Sequence, residues 1–189
     1  MVEPARQVHD FEDYLRLEEI SSVKHEFLGG HVWAMAGGTL EHARVAVRIG
    51  TILNVGIGGR RCSVQSSDFR VRVRATGLTT YPDLSVICDH VELDPEDKKG
   101  QTALNPTVLV EVPSPTTEVY DCGEKLEHYK QIASLQEVML VHHDARRVVV
   151  WRRSGASWSS TEYADDAIVE LRSIDCKLGI AEIYRDPLA

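Results

Sequence analysis

Two acidic residues of this 189-residue chain stand where acids are costly. Asp83 follows Pro82 at the mouth of the apolar run Leu84-Ser85-Val86-Ile87-Cys88. Glu111 closes Val108-Leu109-Val110, with Val112 behind it. A carboxylate among β-branched residues needs a cation or strong donors to offset its lost hydration. Two of them on neighbouring strands make a hard-oxygen pair suited to Mg²⁺ or Mn²⁺. Taken singly, each acid reads as a strand-end cap or an arginine partner; the layout of both together favours the metal. Alternation puts Tyr81, Asp83 and Ser85 on one face, and Pro82, with no N–H to give, belongs at a strand start.

Other residues invite chemistry less strongly. Asp68, Arg70, Arg72 and Arg74 share a face of a strand running from Phe69 to Arg74. Three guanidinium forks in a row suit phosphate tracking, and so name Arg70, Arg72 and Arg74 as candidate DNA contacts. A solvated outer face or an oligomer contact explains the pattern equally well. His42 opens a long helix and either faces the site or lies on the surface. His142-His143 makes a poor metal pair, because adjacent strand residues point to opposite faces.

These residues need a scaffold to position them. Phe11 to Ile20 reads as a short amphipathic helix capped by Asp10. Phe27 to Trp33 reads as a hairpin turning on Gly29-Gly30. Thr39 to Ile57 is a long helix ended by Gly58-Gly59. The nearly continuous apolar runs 84–88 and 107–112 suit central strands covered on both faces. Glu118 to Ile132 reads as a helix, and Glu137 to His142 with Arg147 to Arg152 as a strand pair. This order predicts a mixed sheet flanked by helices, α/β or α+β in class, in a single domain spanning 1–189.

Composition sets the limits. Apolar residues make up 43% and charged residues 26%, the proportions of a globular protein, and no apolar run approaches membrane-helix length. The acidic Met1 to Glu12 segment lacks a signal peptide's apolar stretch. Cys62, Cys88, Cys122 and Cys176 lie far apart with no CxxC pair, so neither a zinc knuckle nor a disulfide framework is expected, and a reducing cytoplasm is the simplest home. A net charge of −8 weighs against a uniform basic field for coating nucleic acid; to bind DNA such a chain must concentrate its arginines locally or work with a partner.

Three ordered motifs carry a resemblance: Tyr81-Pro82-Asp83-Leu84-Ser85-Val86; Asn105-Pro106 through Glu111-Val112-Pro113-Ser114-Pro115-Thr116-Thr117; and Asp121-Cys122-Gly123-Glu124-Lys125-Leu126 through Tyr129. With Lys24 to Gly30 and His42 upstream, they are similar to the Uma-type family of restriction endonucleases in the PD-(D/E)xK superfamily, over roughly Phe11 to Trp158. The resemblance implies a restriction-endonuclease-like central mixed sheet, an active site at splayed strands, and metal-dependent cleavage of DNA phosphodiesters. It assigns Asp83 and Glu111 as catalytic, metal-binding acids, and Glu26 as a possible further ligand beside its plainer reading as a surface acid. The superfamily's lysine two positions after the glutamate is Pro113 here. Lys125 matches the family's downstream lysine and is either that charge supplied from a helix or half of a solvated Asp121–Lys125 pair.

The expected activity is therefore Mg²⁺- or Mn²⁺-dependent DNA endonuclease. The alternatives are an inactive nuclease-fold module that binds DNA or protein, and a metal-dependent phosphoesterase acting on a small substrate. A homodimer is expected because duplex DNA is two-fold symmetric, with Trp33, Met35 and Trp151 as spare apolar surface.

Overall fold

A computed structural model describes residues 6–7, 10–35, 37–114, 117–142 and 145–186, with the backbone alone for 6–7. His143, Pro115, Thr116 and the first five residues lie outside the described set.

The local signals act where the sequence places them. Helix α1 (Phe11–Ile20) starts at Asp10, whose Oδ1 accepts from the Asp13 N–H at 2.9 Å. Its Phe11 and Tyr14 stack on Phe27 of β2 (His25–Leu28). Gly29 and Gly30, with φ of 57° and 83°, turn β2 into β3 (His31–Ala34), both in the left-handed region that tight hairpins require. Helix α2 (Leu40–Gly56) is capped by Thr39 and buries Val45, Ile49 and Leu53 along one stripe.

Two six-stranded sheets share the chain. The first runs β1 (Arg6–Gln7), β3, β2, β6 (Thr79–Thr80), β5 (Arg70–Arg72), β8 (Thr102–Ala103). The second, which carries the acids, runs β12 (Ser157–Ala164), β11 (Arg147–Ser154), β10 (Glu137–His142), β9 (Val108–Glu111), β7 (Leu84–Cys88), β4 (Cys62–Ser66). Strands β9 and β10 pair in parallel, while the other neighbours in this sheet are antiparallel, so the sheet is mixed. Every residue of β9 and β10 is buried. One face, with Val108, Val110, Met139 and Val141, packs under α2 and a C-terminal hairpin, β13 (Ile168–Leu171) with β14 (Cys176–Gly179). The other, with Leu109, Val138 and Leu140, meets Leu126 and Tyr129. The architecture is thus the expected mixed sheet flanked by helices.

Two expectations are corrected. The helix read from Glu118 to Ile132 is two short ones, α3 (Glu118–Asp121) and α4 (Glu124–Tyr129). Gly123 separates them in a non-helical conformation, where a Cβ would sit 2.6 Å from the Val119 carbonyl oxygen. Cys62 and Cys88, for which no disulfide was expected, are bonded. They stand directly opposite each other in the antiparallel β4–β7 ladder, a pairing that a sequence separation of 26 conceals.

Candidate active site

Strand register brings the two acids together. In the antiparallel β7–β9 ladder Leu84 faces Val110, so Asp83, just before β7, and Glu111, the last residue of β9, lie at the same end of adjacent strands, close enough to interact electrostatically. Backbone and helix then hold Asp83: the Val112 N–H donates to its Oδ2 at 2.7 Å, and His42, in the first turn of α2, reaches its Oδ1 with Nε2 at 3.0 Å. The hydrogen bond to Asp83 raises the His42 pKa above the usual imidazole value against the opposing pull of burial.

Behind them lies an ammonium in a carboxylate cage. Lys125 Nζ is 3.0 Å from Glu111 Oε1, 3.0 Å from Glu26 Oε1 and 3.2 Å from Asp121 Oδ1. All four residues are buried. Further hydroxyls brace the acids: Tyr129 donates to Glu111 Oε1 and Thr80 to Glu26 Oε1, each at 2.5 Å, and Tyr120 bonds Glu26. The helix break at Gly123 serves this arrangement, since Asp121 ends one helix and Lys125 lies in the first turn of the next.

The electrostatics are unbalanced. Burial pushes the Glu111 carboxyl up to about 8, with Asp121 and Asp83 adding to the rise and Lys125 and the Tyr129 hydroxyl opposing it. Burial also works against the Lys125 ammonium, yet Glu111, Tyr129, Glu26 and Asp121 hold its pKa well above the ordinary lysine value. Three acids therefore surround one fixed cation, with Asp83 and its His42 imidazole beside them. Such a site favours anything positive that arrives and can hold an ammonium against a growing negative charge.

The Uma2 family, described as "Putative restriction endonuclease", matches residues 11–181. The chain belongs to that family. Two uncharacterised proteins of Synechocystis are similar to it, one 34% identical over 92% of this chain and 90% of its own length, the other 29% identical over 79% and 84%. A crystal structure from Anabaena variabilis, described as a putative nuclease belonging to DUF820, superposes with a TM-score of 0.74, covering 92% of this chain and 96% of its own, at 17% identity. That likeness is one of fold: the mixed sheet of this Uma2-family chain is a nuclease-type scaffold.

The remaining candidates divide. Glu26, read first as a surface acid, is buried against Lys125, and the Asp121–Lys125 pair is buried rather than solvated. The arginine comb is divided. Arg70 is buried, donating to Asp97, Thr102 and the Tyr81 hydroxyl, and Arg72 binds Asp94 and Glu96 with its guanidinium over the Phe11 ring. Alternation did put both on one face, but that face is turned towards α1 and the acidic 94–97 loop instead of solvent. Of the three, Arg74 alone is exposed. His142 is buried beside Glu118 and Arg147. The sequence reading missed Thr80, Tyr120 and Tyr129 as braces; Tyr129 closed the third motif, and that was the available signal.

Proposed function

We propose that this chain is a metal-dependent DNA endonuclease that hydrolyses phosphodiester bonds, acting as one unit over residues 1–189. The carrying observation is the buried Lys125 ammonium 3.0 Å from Glu111, with Asp83 at the adjoining end of the neighbouring strand. Among the described residues no three side chains of His, Cys, Asp or Glu converge as a ready metal shell. Two carboxylates still fit Mg²⁺ or Mn²⁺, since Mg²⁺ keeps waters and typically takes one or two carboxylates plus substrate phosphate. Burial raises the Glu111 pKa, with Asp121 and Asp83 adding to the rise, and a bound cation would oppose it.

In this reading Asp83 and Glu111 hold the ion, and Glu26 stands as a further ligand, its Oε1 already engaged by Lys125 and Thr80. When bound, the ion polarises the phosphate and lowers the pKa of an attacking water. Lys125 meets the negative charge that develops on the phosphoryl oxygens. Glu26 and Asp121 aim its ammonium, Tyr129 fixes the Glu111 carboxylate, and His42 with the Val112 N–H fixes Asp83. Pro113 then costs nothing, because the ammonium comes from α4 instead of β9.

The test is nicking of supercoiled plasmid in Mg²⁺ and in Mn²⁺ by the wild type and by Asp83→Asn, Glu111→Gln and Lys125→Met, with metal binding followed by calorimetry. Loss of both binding and cleavage in the acid variants, and of cleavage alone in the lysine variant, supports the reading. A wild type that cuts nothing in either metal ends it. A homodimer and a cytoplasmic location complete the proposal; light scattering tests the first. Thiol titration of the acid-quenched protein shows whether Cys62 and Cys88 are a dithiol in that compartment.

A further inference from the structure

We propose that His31 and Trp33 form a stacking platform for an unpaired base of single-stranded DNA whose backbone enters the site, a deepening that rests on the nuclease reading. Trp33 lies directly opposite Glu26 in the β2–β3 ladder, so both side chains leave the same face of the sheet on adjacent strands. Glu26 in turn holds Lys125. The indole is therefore one rung from the ammonium cage. His31, two residues along the same strand face, sets its ring 5.9 Å from the Trp33 ring, and it is exposed.

The other two tryptophans have structural work. Trp151 carries Lys130 over its ring and Trp158 carries Arg153, and both pack on the core beneath α4. Trp33 belongs to none of the hydrophobic clusters among the described residues. It is partly exposed, and the chain beyond it runs through Gly37 and Gly38 to His42 at the mouth of the site. Val119, 90% exposed, is next in the chain to Tyr120, whose hydroxyl bonds Glu26.

Charge selects the occupant. The chain carries a net −8, and Arg70 and Arg72 are committed to acidic partners, so phosphate neutralisation along a duplex has little to draw on. Base stacking on an aromatic ring needs no positive field, and in a duplex the base faces are already covered. A single strand offers them. Its use would also remove the duplex-based reason for a two-fold dimer.

The experiment is fluorescence anisotropy of a dye-labelled thymidine 20-mer, a 20-base-pair duplex and a uridine 20-mer on the full chain in EDTA, with Trp33→Ala and Trp33→Phe as variants. Circular dichroism melts check that each variant folds, as expected for a side chain outside the core clusters. The expected result is tighter binding of the DNA single strand than of the duplex by the wild type. Trp33→Ala should lose about tenfold or more on the single strand alone, and Trp33→Phe should recover most of it. Unchanged single-strand affinity in Trp33→Ala overturns the proposal, as does an equal loss on duplex. A preference for the uridine strand overturns the assignment to DNA. A Trp33→Ala variant that turns dimer into monomer in light scattering with unaltered binding shows a second copy as the occupant and overturns it too. Plasmid cleavage by a wild type that shows no single-strand preference sinks this inference and leaves the nuclease reading standing; no binding and no cleavage sinks both.

Discussion

Two buried ion clusters in this fold use similar parts and reach opposite electrical states. Around Arg70, one guanidinium meets Asp97 at 2.9 Å, with Thr102 donating to the same carboxylate and the Gln101 N–H adding a third bond. Burial works against the Asp97 charge, but Thr102 and Arg70 outweigh it and hold its pKa below the usual aspartate value. Around Lys125, one ammonium faces Glu26, Glu111 and Asp121, with Asp83 beside them, and Glu111 is pushed up to about 8. The first cluster is complete within the protein and ties β5 to β8 and the 94–101 loop. The second is left with more negative charge than its own residues satisfy. Under the proposed function, the contrast sets the pair that builds the structure against the one placed for chemistry.

The sharpest way to break this contrast is to remove the ions one at a time. Lys125→Met and Glu111→Gln should each cut plasmid cleavage by orders of magnitude. Glu111→Gln should nevertheless leave the urea midpoint at neutral pH equal to the wild type's or higher, because the amide is neutral without the proton that folding makes Glu111 take up there; a clear fall in that midpoint would show that the acid is an ordinary structural partner. Arg70→Met should do the reverse. It leaves Asp97 buried without its cation and should cost about 3–5 kcal/mol in denaturant unfolding, while metal affinity, read by calorimetry on the folded fraction, stays where it was.

Acid and base should then pull the two clusters in opposite directions. Asp97 has a depressed folded pKa, so its contribution is present above the unfolded value and is lost as pH falls through the folded one. Glu111 has a raised one: between its ordinary 4.5 and about 8 the native state binds more protons than the unfolded chain, and stability falls as pH rises across that window. Unfolding free energies measured from pH 2 to 9 should show this decline flattened in Glu111→Gln. Asp97→Asn should remove a loss seen only at the acid end. Identical pH profiles for the wild type and Glu111→Gln would discard the raised acid.

The smallest effect belongs to Arg74. Exposed while its two neighbours are committed inside, it is the arginine left for phosphate. Arg74→Ala should weaken DNA binding modestly and lower the salt slope of log K by about 1; an unchanged slope would leave none of the three arginines on the nucleic acid.

Much of this was written locally. Asp10 and Thr39 cap their helices, Gly29-Gly30 turns its hairpin, and the β-branched runs became the buried strands, because each signal acts over a few residues. Asp83 and Glu111 were legible for the same reason: an acid inside an apolar run is visible without knowing its neighbours. Long-range pairing was not legible. That Arg70 would turn inward depended on Asp97 and Thr102 from a distant loop, and that Cys62 would meet Cys88 depended on strand register. The break at Gly123 was visible as a glycine in a helical pattern, but only the fold shows that it places Lys125 against Glu26 and Glu111. The exposed strand β12 and the C-terminal hairpin escaped notice because their patterns are short and carry no acid or base of evident purpose.

That C-terminal hairpin bears on how the protein is degraded. Glu137, buried on β10, gathers Arg152 Nε, the Arg172 and Ser173 N–H groups and the Ser173 hydroxyl onto one carboxylate. Val169, Leu171, Leu178 and Ile180 lie in the same hydrophobic cluster as Val108, Val110, Val148 and Val150. A protease cutting the turn at 165–167 would strip cover from half of the sheet and leave a buried carboxylate without most of its donors. Clipping there should therefore lead to unfolding and complete digestion, and a shortened, still folded fragment should not accumulate.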